Sequence, residues 1–264
     1  MTLTLGSGPL ASAGPDDTNY EVVGPKHRLL FADFPRRVRA VLGDATVLDT
    51  TRGRLLHESN LLPVLYVPEQ DVDQSLLQRT EHSTHCPFKG DAAYWSVVAD
   101  SRTADNAVWG YPEPHADAQW LRGYQAVYFE SMDGWLDEDE QVQGHLRDPY
   151  HRVDARRSSR TVRVTAGTGA QATTLAQSSR PVVVSETGLP NRFYLPAQDV
   201  RTALLERSPT TTHCPYKGTS TYWSLADGSG DDVAWSYAEP YPDVAVAAGM
   251  LCFLADGVTT EVTP

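Results

Sequence analysis

The sequence predicts a mainly β fold with short helices, built as two tandem homologous domains. A thirteen-residue motif occurs twice, 128 residues apart, with nine identical positions. The surrounding segments are short runs of apolar residues bounded by Gly, Pro and Asp, a pattern typical of antiparallel strands. The chain has 264 residues, of which 41% are hydrophobic. That length suits two globular domains of about 100–150 residues each.

The repeated motif runs from Thr84 to Ser96 and from Thr212 to Ser224. Other residues recur at a spacing of 128 before the motif and 126 after it: Arg52 and Arg180, Glu58 and Glu186, Tyr66 and Tyr194, Trp109 and Trp235, and Tyr111 and Tyr237. Because a register-preserving repeat reflects a duplicated structural unit, domain boundaries follow from it. We predict a flexible tail over residues 1–25, a first domain over 26–140, a linker over 141–159 and a second domain over 160–264.

The individual elements follow from local signals in chain order. Gly43-Asp44 joins two apolar runs and predicts a hairpin over 38–48, and a similar pair begins at Val162 with four extra residues in its turn. Further strands are predicted at 55–56, 63–66, 93–97, 181–184, 222–225 and 250–254, the last of these being the final buried strand. Short helices are predicted from Pro68 to Leu77 and from Pro242 to Gly249, where glycine is a typical C-terminal cap.

The charge and composition exclude several classes of function. Lys and Arg total 22 against 34 Asp and Glu, a net charge of −12. Nucleic-acid binding depends on clustered cations, so no nucleic-acid partner is expected. No segment approaches the roughly 20 apolar residues of a membrane helix, so no membrane partner is expected. Three cysteines in a chain of this length favour reduced thiols and a cytoplasmic location over a disulfide scaffold.

The motif Thr-His-Cys-Pro-x-Lys-Gly-x-x-x-Tyr-Trp-Ser, with its flanking Arg, Glu and Tyr-x-Pro positions, resembles the domain of unknown function 427 family. The resemblance implies a β-tent-like fold, the class shared with methionine sulfoxide reductase B and the thalidomide-binding domain. Together with the repeat, it predicts that the two domains are related by a pseudo-two-fold and form a pseudo-dimer within one chain. The chain itself is expected to be a monomer. A nucleotidyltransferase label sometimes attached to the family finds no support, because the sequence has no phosphate-binding loop.

The motif also supplies the candidate catalytic residues. Each copy contains a cysteine preceded by a histidine and followed three residues later by a lysine: His85, Cys86 and Lys89, and His213, Cys214 and Lys217. Nearby cations lower the pKa of a thiol and make it a nucleophile. In an extended strand, however, adjacent side chains point to opposite faces. The alternative interpretation is a small buried thiol under a Pro-x-Lys-Gly turn.

The candidate ligand-binding residues are the charged and aromatic positions that recur in both copies. They are Arg52, Glu58, Tyr66, Tyr94, Trp109 and Tyr111 in the first copy, and Arg180, Glu186, Tyr194, Tyr222, Trp235 and Tyr237 in the second. Arginine orients carboxylates and phosphates, whereas the alternative for Arg52 and Glu58 is a structural ion pair or a set of surface charges. Tyr and Trp suit a pocket wall or a core position. No metal or cofactor is predicted, since the chain has no Cys-x-x-Cys pair.

Two functions remain open from the sequence. The first is a small-molecule enzyme of unknown reaction that uses the motif cysteine and acts on an anionic or carbonyl-bearing ligand. The second is a non-catalytic module that binds a small ligand. Both predict one pocket per domain, walled in the first domain by residues 84–90, by Arg52, and by Trp109 or Tyr111.

Overall fold

The computed structural model describes residues 3–6, 8–12, 19, 23–99, 102–169 and 172–264. The chain divides into a first unit, Met1–Asp148, and a second unit, Pro149–Pro264. Each unit consists mainly of antiparallel strands with short 3-10 helices. The predicted mainly β architecture with two tandem units is confirmed. In the part of the chain that the structure describes, no helix is both long enough and apolar enough to cross a membrane.

The first unit contains two antiparallel sheets. Its strands are β1 Leu29–Asp33, β2 Val38–Leu42, β3 Ala45–Thr50, β4 Arg54–Glu58, β5 Val64–Pro68, β6 Leu77–Cys86, β7 Gly90–Ala99, β8 Arg102–Gly110, β9 Tyr124–Val127, β10 Gly134–Asp137 and β11 Glu140–Val142. The larger sheet has the order β1-β4-β5-β9-β8-β7-β6, and the smaller sheet has the order β11-β10-β2-β3. Short 3-10 helices lie at Glu69–Asp71, Gln74–Leu76, Ala116–Leu121 and Phe129–Ser131.

The second unit repeats this arrangement. Its strands are β12 Val153–Arg157, β13 Thr161–Ala166, β14 Thr173–Ser178, β15 Val182–Glu186, β16 Arg192–Leu195, β17 Leu205–Cys214, β18 Gly218–Leu225, β19 Ala234–Tyr237, β20 Leu251–Phe253 and β21 Val258–Thr263. The larger sheet has the order β12-β15-β16-β20-β19-β18-β17, and the smaller sheet has the order β14-β13-β21. Short 3-10 helices lie at Ala197–Asp199, Thr202–Leu204 and Pro242–Ala247.

The central strands of the larger sheet in each unit are packed on both faces. One face packs on the smaller sheet: in the first unit, Leu55 contacts a core that includes Val38 of β2. The neighbouring Leu56 points to the other face, where it packs with Tyr66 and with Leu121 of the 3-10 helix Ala116–Leu121. Since successive side chains of a strand alternate between faces, this double burial explains the uninterrupted apolar runs. The second face carries the tyrosines and the motif cysteine.

The ends of the units differ from the predicted boundaries. In the N-terminal segment predicted as a flexible tail, Thr4 accepts a hydrogen bond from the backbone N–H of Asn60 at 2.7 Å, and Leu10 accepts one from the Ser59 hydroxyl at 2.8 Å. These contacts hold the described parts of the segment to the turn after β4. Residues 13–18 and 20–22 of that predicted tail lie outside the described residues.

The predicted linker over 141–159 is also corrected. Leu146 is buried in the first unit's core, and β12 pairs along its length with β15 in the second unit's larger sheet. Only Val153 and Ala155 of β12 face inward, while Arg156 and Arg157 are exposed. A strand with two small inward residues carries too weak an apolar signal to be separated from a charged linker.

Most predicted elements are present, with two exceptions in kind. The hairpin at Gly43-Asp44 is confirmed as β2 and β3. The single helix expected from Pro68 to Leu77 is instead two separate 3-10 turns. The strand expected to be last is β20, but β21 follows it and pairs with β13. Because β21 is almost wholly exposed, it lacks the apolar alternation by which a strand is detected.

Candidate functional site

The hairpin turn of the motif, Cys86–Gly90, joins β6 to β7, and Cys214–Gly218 joins β17 to β18 in the second unit. We call each the motif turn. Gly90 has a φ of +107°, and a Cβ there would lie 3.2 Å from the backbone oxygen of Glu113. Gly218 has a φ of +102° and the same approach to Glu239 at 3.3 Å. The glycine is therefore required both by its backbone conformation and by its contact with the repeated Glu-Pro segment.

The histidine and the cysteine of the motif face opposite ways. Cys86 packs against the tyrosine-rich cluster of the larger sheet. His85 is exposed, and its Nδ1 lies 2.6 Å from Oδ1 of Asp91. His213 repeats the outward position, with Nδ1 3.1 Å from the hydroxyl of Thr219. The structure therefore does not bring the predicted catalytic histidines to the thiols.

The motif lysine turns inward and meets a carboxylate. Lys89 Nζ lies 2.5 Å from Oε2 of Glu58, and the two side chains are only 10% and 8% exposed. The other oxygen, Oε1, lies 2.8 Å from Nε2 of His27. We call His27, Glu58 and Lys89 the buried charge set. Glu58, predicted as a partner of Arg52, instead bridges an imidazole and an ammonium group.

The second unit contains the same set. Lys217 donates to Oε2 of Glu186, and His151 Nε2 lies 3.1 Å from Oε1. Burial by itself would raise the pKa of Glu186. The hydrogen bonds and positive charges of His151 and Lys217 outweigh it and lower the pKa to about 2. The Glu186 carboxylate is therefore ionised throughout the neutral range.

His27 and His151 were missed by the sequence analysis. Each lies two residues before the first strand of its unit, so the two are 124 residues apart rather than 128. The difference is the four-residue insertion in the β13–β14 turn, which lies between them and the motif. The signal was present as a shared His-Arg dipeptide, His27-Arg28 and His151-Arg152. A search at one fixed spacing does not find it.

An aromatic ring from the motif turn covers each of these histidines. Phe88 stacks on His27 with ring centroids 3.7 Å apart and an interplanar angle of 9°. Tyr216 packs against His151 at 4.1 Å and 53°. Phe88 is 41% exposed, whereas Tyr216 is 8% exposed. The histidine of the charge set is thus more accessible in the first unit, where it is 22% exposed, than in the second, where it is 2% exposed.

The recurring tyrosines, together with Trp109 and Trp235, form a hydrogen-bonded layer next to the charge set. Trp109 Nε1 donates to the hydroxyl of Tyr66 at 3.1 Å, and Trp235 donates to Tyr194 at 3.0 Å. Tyr111 lies under the Lys89 ammonium, 5.8 Å from ring centroid to Nζ. Burial raises the pKa of Tyr66 and of Tyr111, so both phenols stay neutral.

The same layer holds the remaining predicted aromatic residues. The hydroxyl of Tyr94 lies 2.9 Å from that of Thr84, and Tyr222 has the same distance to Thr212. Tyr237 matches Tyr111 in the second unit, and burial raises its pKa as well. The structure therefore brings all the predicted aromatic positions to the thiol face of the larger sheet, as a packed layer.

The two arginines do not belong to this site. Arg52 Nε donates to Oδ2 of Asp71 at 3.2 Å, and Arg180 Nε donates to Asp199 at 3.1 Å. Their side chains are 56% and 64% exposed. Arg52 precedes the start of β4, and Glu58 ends it, a separation of roughly 13 Å along the strand alone at about 3.3 Å per residue. Arg52 and Glu58 therefore do not form the ion pair that was one alternative; Arg52 is instead an exposed charge that forms a surface clasp with Asp71.

Arg52 does not wall one pocket with the motif turn, because it pairs with Asp71 whereas Lys89 of that turn pairs with Glu58. A cavity of about 270 Å³ in the first unit is lined by Trp109, Tyr128 and His145. Its described lining includes neither Arg52, Cys86 nor Lys89. The rings of Trp109 and Tyr128 lie 4.4 Å apart, so this cavity opens beside the aromatic layer and away from the charge set.

The three thiols differ in their surroundings. Cys86 and Cys214 are free and partly exposed, and each packs against the aromatic layer of its unit. Cys252 is buried in β20, opposite Tyr194, and burial raises its pKa to about 12. Among the residues that the structure describes, no group of three or more His, Cys, Asp or Glu side chains is arranged to hold a metal ion.

The fold and these sites define a protein of two tandem mainly β units, each with a buried charge set beside a partly exposed thiol. Residues 31–138 and 154–263 each match the profile of one family, described as Domain of unknown function (DUF427). The chain belongs to that family, in a form that carries two copies of the domain. A search of curated proteins finds no match to the chain.

Proposed function

We propose that each unit is a small-molecule enzyme site whose nucleophile is the motif cysteine, Cys86 in the first unit and Cys214 in the second. One observation carries the proposal: a buried His–Glu–Lys set recurs on the thiol face of both units, although its members are differently spaced along the chain. A buried ion pair is costly to desolvate, and apolar residues of similar volume often replace one without loss of stability. Packing alone gives no reason to retain the set twice.

The charge set supplies the electrostatics that a cysteine nucleophile needs. Cys86 and Lys89 belong to the same turn, closed by a 3.3 Å hydrogen bond from the Lys89 backbone to the Cys86 oxygen. Positive charge near a thiol favours the thiolate, which is the reactive form. Lys89 and His27 contact the two oxygens of one carboxylate, so both partners of Glu58 on the thiol face are basic side chains.

The substrate class follows from the groups that remain. Arg52 and Arg180 are engaged with Asp71 and Asp199, so neither of these arginines is available to hold a carboxylate or a phosphate at the site. Tyr111 presents a neutral phenol next to Lys89, and a phenol donates well to a carbonyl oxygen. We therefore favour a carbonyl-bearing substrate over an anionic one. The sulfur of the motif cysteine bonds to the carbonyl carbon as the C=O π bond opens, and the thiol proton passes to the carbonyl oxygen.

Thiol reactivity tests the proposal. The full chain is treated with iodoacetamide between pH 6 and pH 9, and alkylation at each cysteine is followed by peptide mass spectrometry. Cys86 and Cys214 are expected to react well below pH 8, and His27→Gln is expected to slow Cys86 while leaving Cys214 unchanged. Cys252 serves as the internal buried control. Alkylation of Cys86 only at the rate and pH of an unfolded cysteine would overturn the assignment.

A non-catalytic binding module is the second candidate. It is favoured by the cavity of about 270 Å³ beside Trp109 and Tyr128, whose described lining contains neither the thiol nor the lysine. Under this alternative, Cys86→Ser and Cys214→Ser keep ligand-induced thermal stabilisation in a compound screen, whereas Trp109→Leu abolishes it. Under the enzyme proposal, the serine variants lose turnover of the compound that the screen identifies.

A further inference from the structure

The largest difference between the two units is a cavity of about 540 Å³ in the second unit. It lies at the end of the space between the two sheets, on the face of the larger sheet opposite to Cys214. Its walls are aliphatic and include Leu175, Leu225 and Val233. The cavity falls within the typical range of small-molecule sites, about 300–1,000 Å³.

The first unit fills the corresponding space with side chains. Both hairpins of the smaller sheet carry a register shift at the same place, after Ala40 and after Val164. Counted from that shift, Leu42 corresponds to Ala166. Leu42 is only 3% exposed and belongs to the first unit's core, whereas Ala166 lines the cavity. One leucine is thus replaced by an alanine on this wall.

Two further changes enlarge the space. The two smaller sheets can be aligned because β10 pairs with β2 in the same way as β21 pairs with β13. In that alignment, Met132 corresponds to Gly257. Met132 is 8% exposed in the first unit's core, and Gly257 lines the cavity. The β7–β8 hairpin also extends to Ala99 and Arg102, whereas β18 ends at Leu225. The cavity therefore results from three separate changes in the second unit, each of which removes volume that the first unit fills.

The charged residues at the cavity are both acidic. Asp227 and Asp256 belong to its described lining, and no Lys, Arg or His does. Asp227 Oδ1 accepts hydrogen bonds from the backbone N–H and the hydroxyl of Ser229 at 3.0 and 2.6 Å, which fix the carboxylate in place. An aliphatic wall with fixed negative charge suits a ligand with an apolar body and a cationic head.

We infer that the second unit binds a small aliphatic ammonium compound in this cavity, with its chain against Leu175, Leu225 and Val233 and its ammonium group towards Asp227 and Asp256. The site is separate from the thiol site, because the two lie on opposite faces of the larger sheet. Its occupancy does not require the motif cysteines to be reactive.

Isothermal titration of the full chain with n-hexylammonium tests the inference, with n-hexanol and hexanoate of equal chain length as comparisons. One n-hexylammonium is expected to bind per chain. Hexanol is expected to bind about fivefold more weakly, since an ionic contact at an exposed site contributes modestly to affinity. Hexanoate is expected not to bind. Equal binding of the amine and the alcohol would overturn the charge assignment.

Two variants locate the site. Ala166→Leu installs the residue that the first unit already has and is expected to weaken binding by about tenfold or more, because it occupies ligand space. Asp227→Asn is expected to weaken binding of the amine but not of the alcohol. Asp231 does not line the cavity, so Asp231→Asn is the charge-matched control. Ala203→Leu fills the cavity from a second wall if Ala166→Leu does not fold. Undiminished amine binding by a folded filling variant, or no binding by the wild-type chain, refutes the site.

Discussion

Lys89 Nζ lies 2.5 Å from Oε2 of Glu58 inside the first unit, and both side chains are almost fully buried. Lys217 and Glu186 make the same pair in the second unit. Each carboxylate has a second partner, His27 or His151, so neither oxygen is left without a hydrogen bond. Two desolvated charges are tolerated only with such complete pairing. The stability of each unit is therefore tied to the charge state of its glutamate.

Removing one member of the pair is expected to be more harmful than removing both. Lys217→Met leaves Glu186 buried without its ammonium partner and should destabilise the second unit by about 3–5 kcal/mol. Lys217→Met combined with Glu186→Gln removes both charges and should recover most of that loss. Hydrogen exchange measured by mass spectrometry on peptides from β16 to β20 reports the second unit by itself. Peptides from β5 to β9 are the internal control, and a double variant as unstable as the single one contradicts the prediction.

The pH dependence of the second unit follows from the lowered pKa of Glu186. The folded pKa is about 2, against an ordinary value of 4.5. A depressed carboxyl pKa stabilises the folded state above the unfolded pKa, and that stabilisation is lost as the pH falls towards the folded pKa. From this one group, the free energy of unfolding should fall by about 3 kcal/mol between pH 5 and pH 2, at 1.36 kcal/mol per pKa unit. Glu186→Gln should flatten that part of the profile, measured by urea unfolding at each pH, and a profile equally steep in the variant contradicts it.

The repeat predicted the two duplicated units, and local signals predicted strands such as β2 and β3, which carry a two-residue turn between apolar runs. Among the strands that were not predicted are β12 and β21. Their inward-facing residues are few or small, and their order depends on pairing with strands distant in sequence. Such pairing is a tertiary effect that local alternation does not encode.

The site was predicted in part for a similar reason. The repeat correctly selected Glu58, Lys89 and the tyrosines as residues that share one face. It placed Arg52 with them because a recurring arginine has the same sequence signature in a surface clasp as in a binding site. Strand alternation turns His85 away from the thiol. His27 reaches Glu58, which is 31 residues away in sequence, only because strands pair in the tertiary structure.

The clasp formed by Arg52 predicts a small and purely structural effect. Arg52→Ala removes the pair with Asp71, but Thr50 still donates to that carboxylate at 2.6 Å. An exposed ion pair contributes little to stability, so the free energy of unfolding of the first unit should fall only slightly. Arg180→Ala should behave alike, because Ser178 donates to Asp199 at 2.7 Å. Neither variant should change the alkylation rate of the motif cysteine in its unit. A large change in that rate would show that the arginine acts on the thiol site.

The last prediction separates two reasons for glycine at the motif turn. Gly90 has both a positive φ of +107° and a backbone oxygen, that of Glu113, 3.2 Å from where a Cβ would lie. Gly123 has a positive φ of +77° but no atom within 4 Å of the corresponding point. Gly123→Ala should therefore cost only the backbone strain, about 1–2 kcal/mol. Gly90→Ala should cost more, because the Glu113 segment must also move and His115 then weakens its 3.0 Å hydrogen bond to the Lys89 oxygen.

The second unit provides an independent copy of this comparison. Gly218, with φ +102°, approaches the Glu239 oxygen at 3.3 Å, and Gly249, with φ +67°, faces open space. The free energy of unfolding should fall further for Gly218→Ala than for Gly249→Ala, as for the first pair. The displaced turn should also carry its cysteine out of place, so Gly90→Ala should change the alkylation rate of Cys86 while Gly123→Ala leaves it unchanged. Equal losses of stability in both pairs would mean that positive φ alone selects glycine at the motif turn, and that the Glu-Pro contact does not hold the cysteine in place.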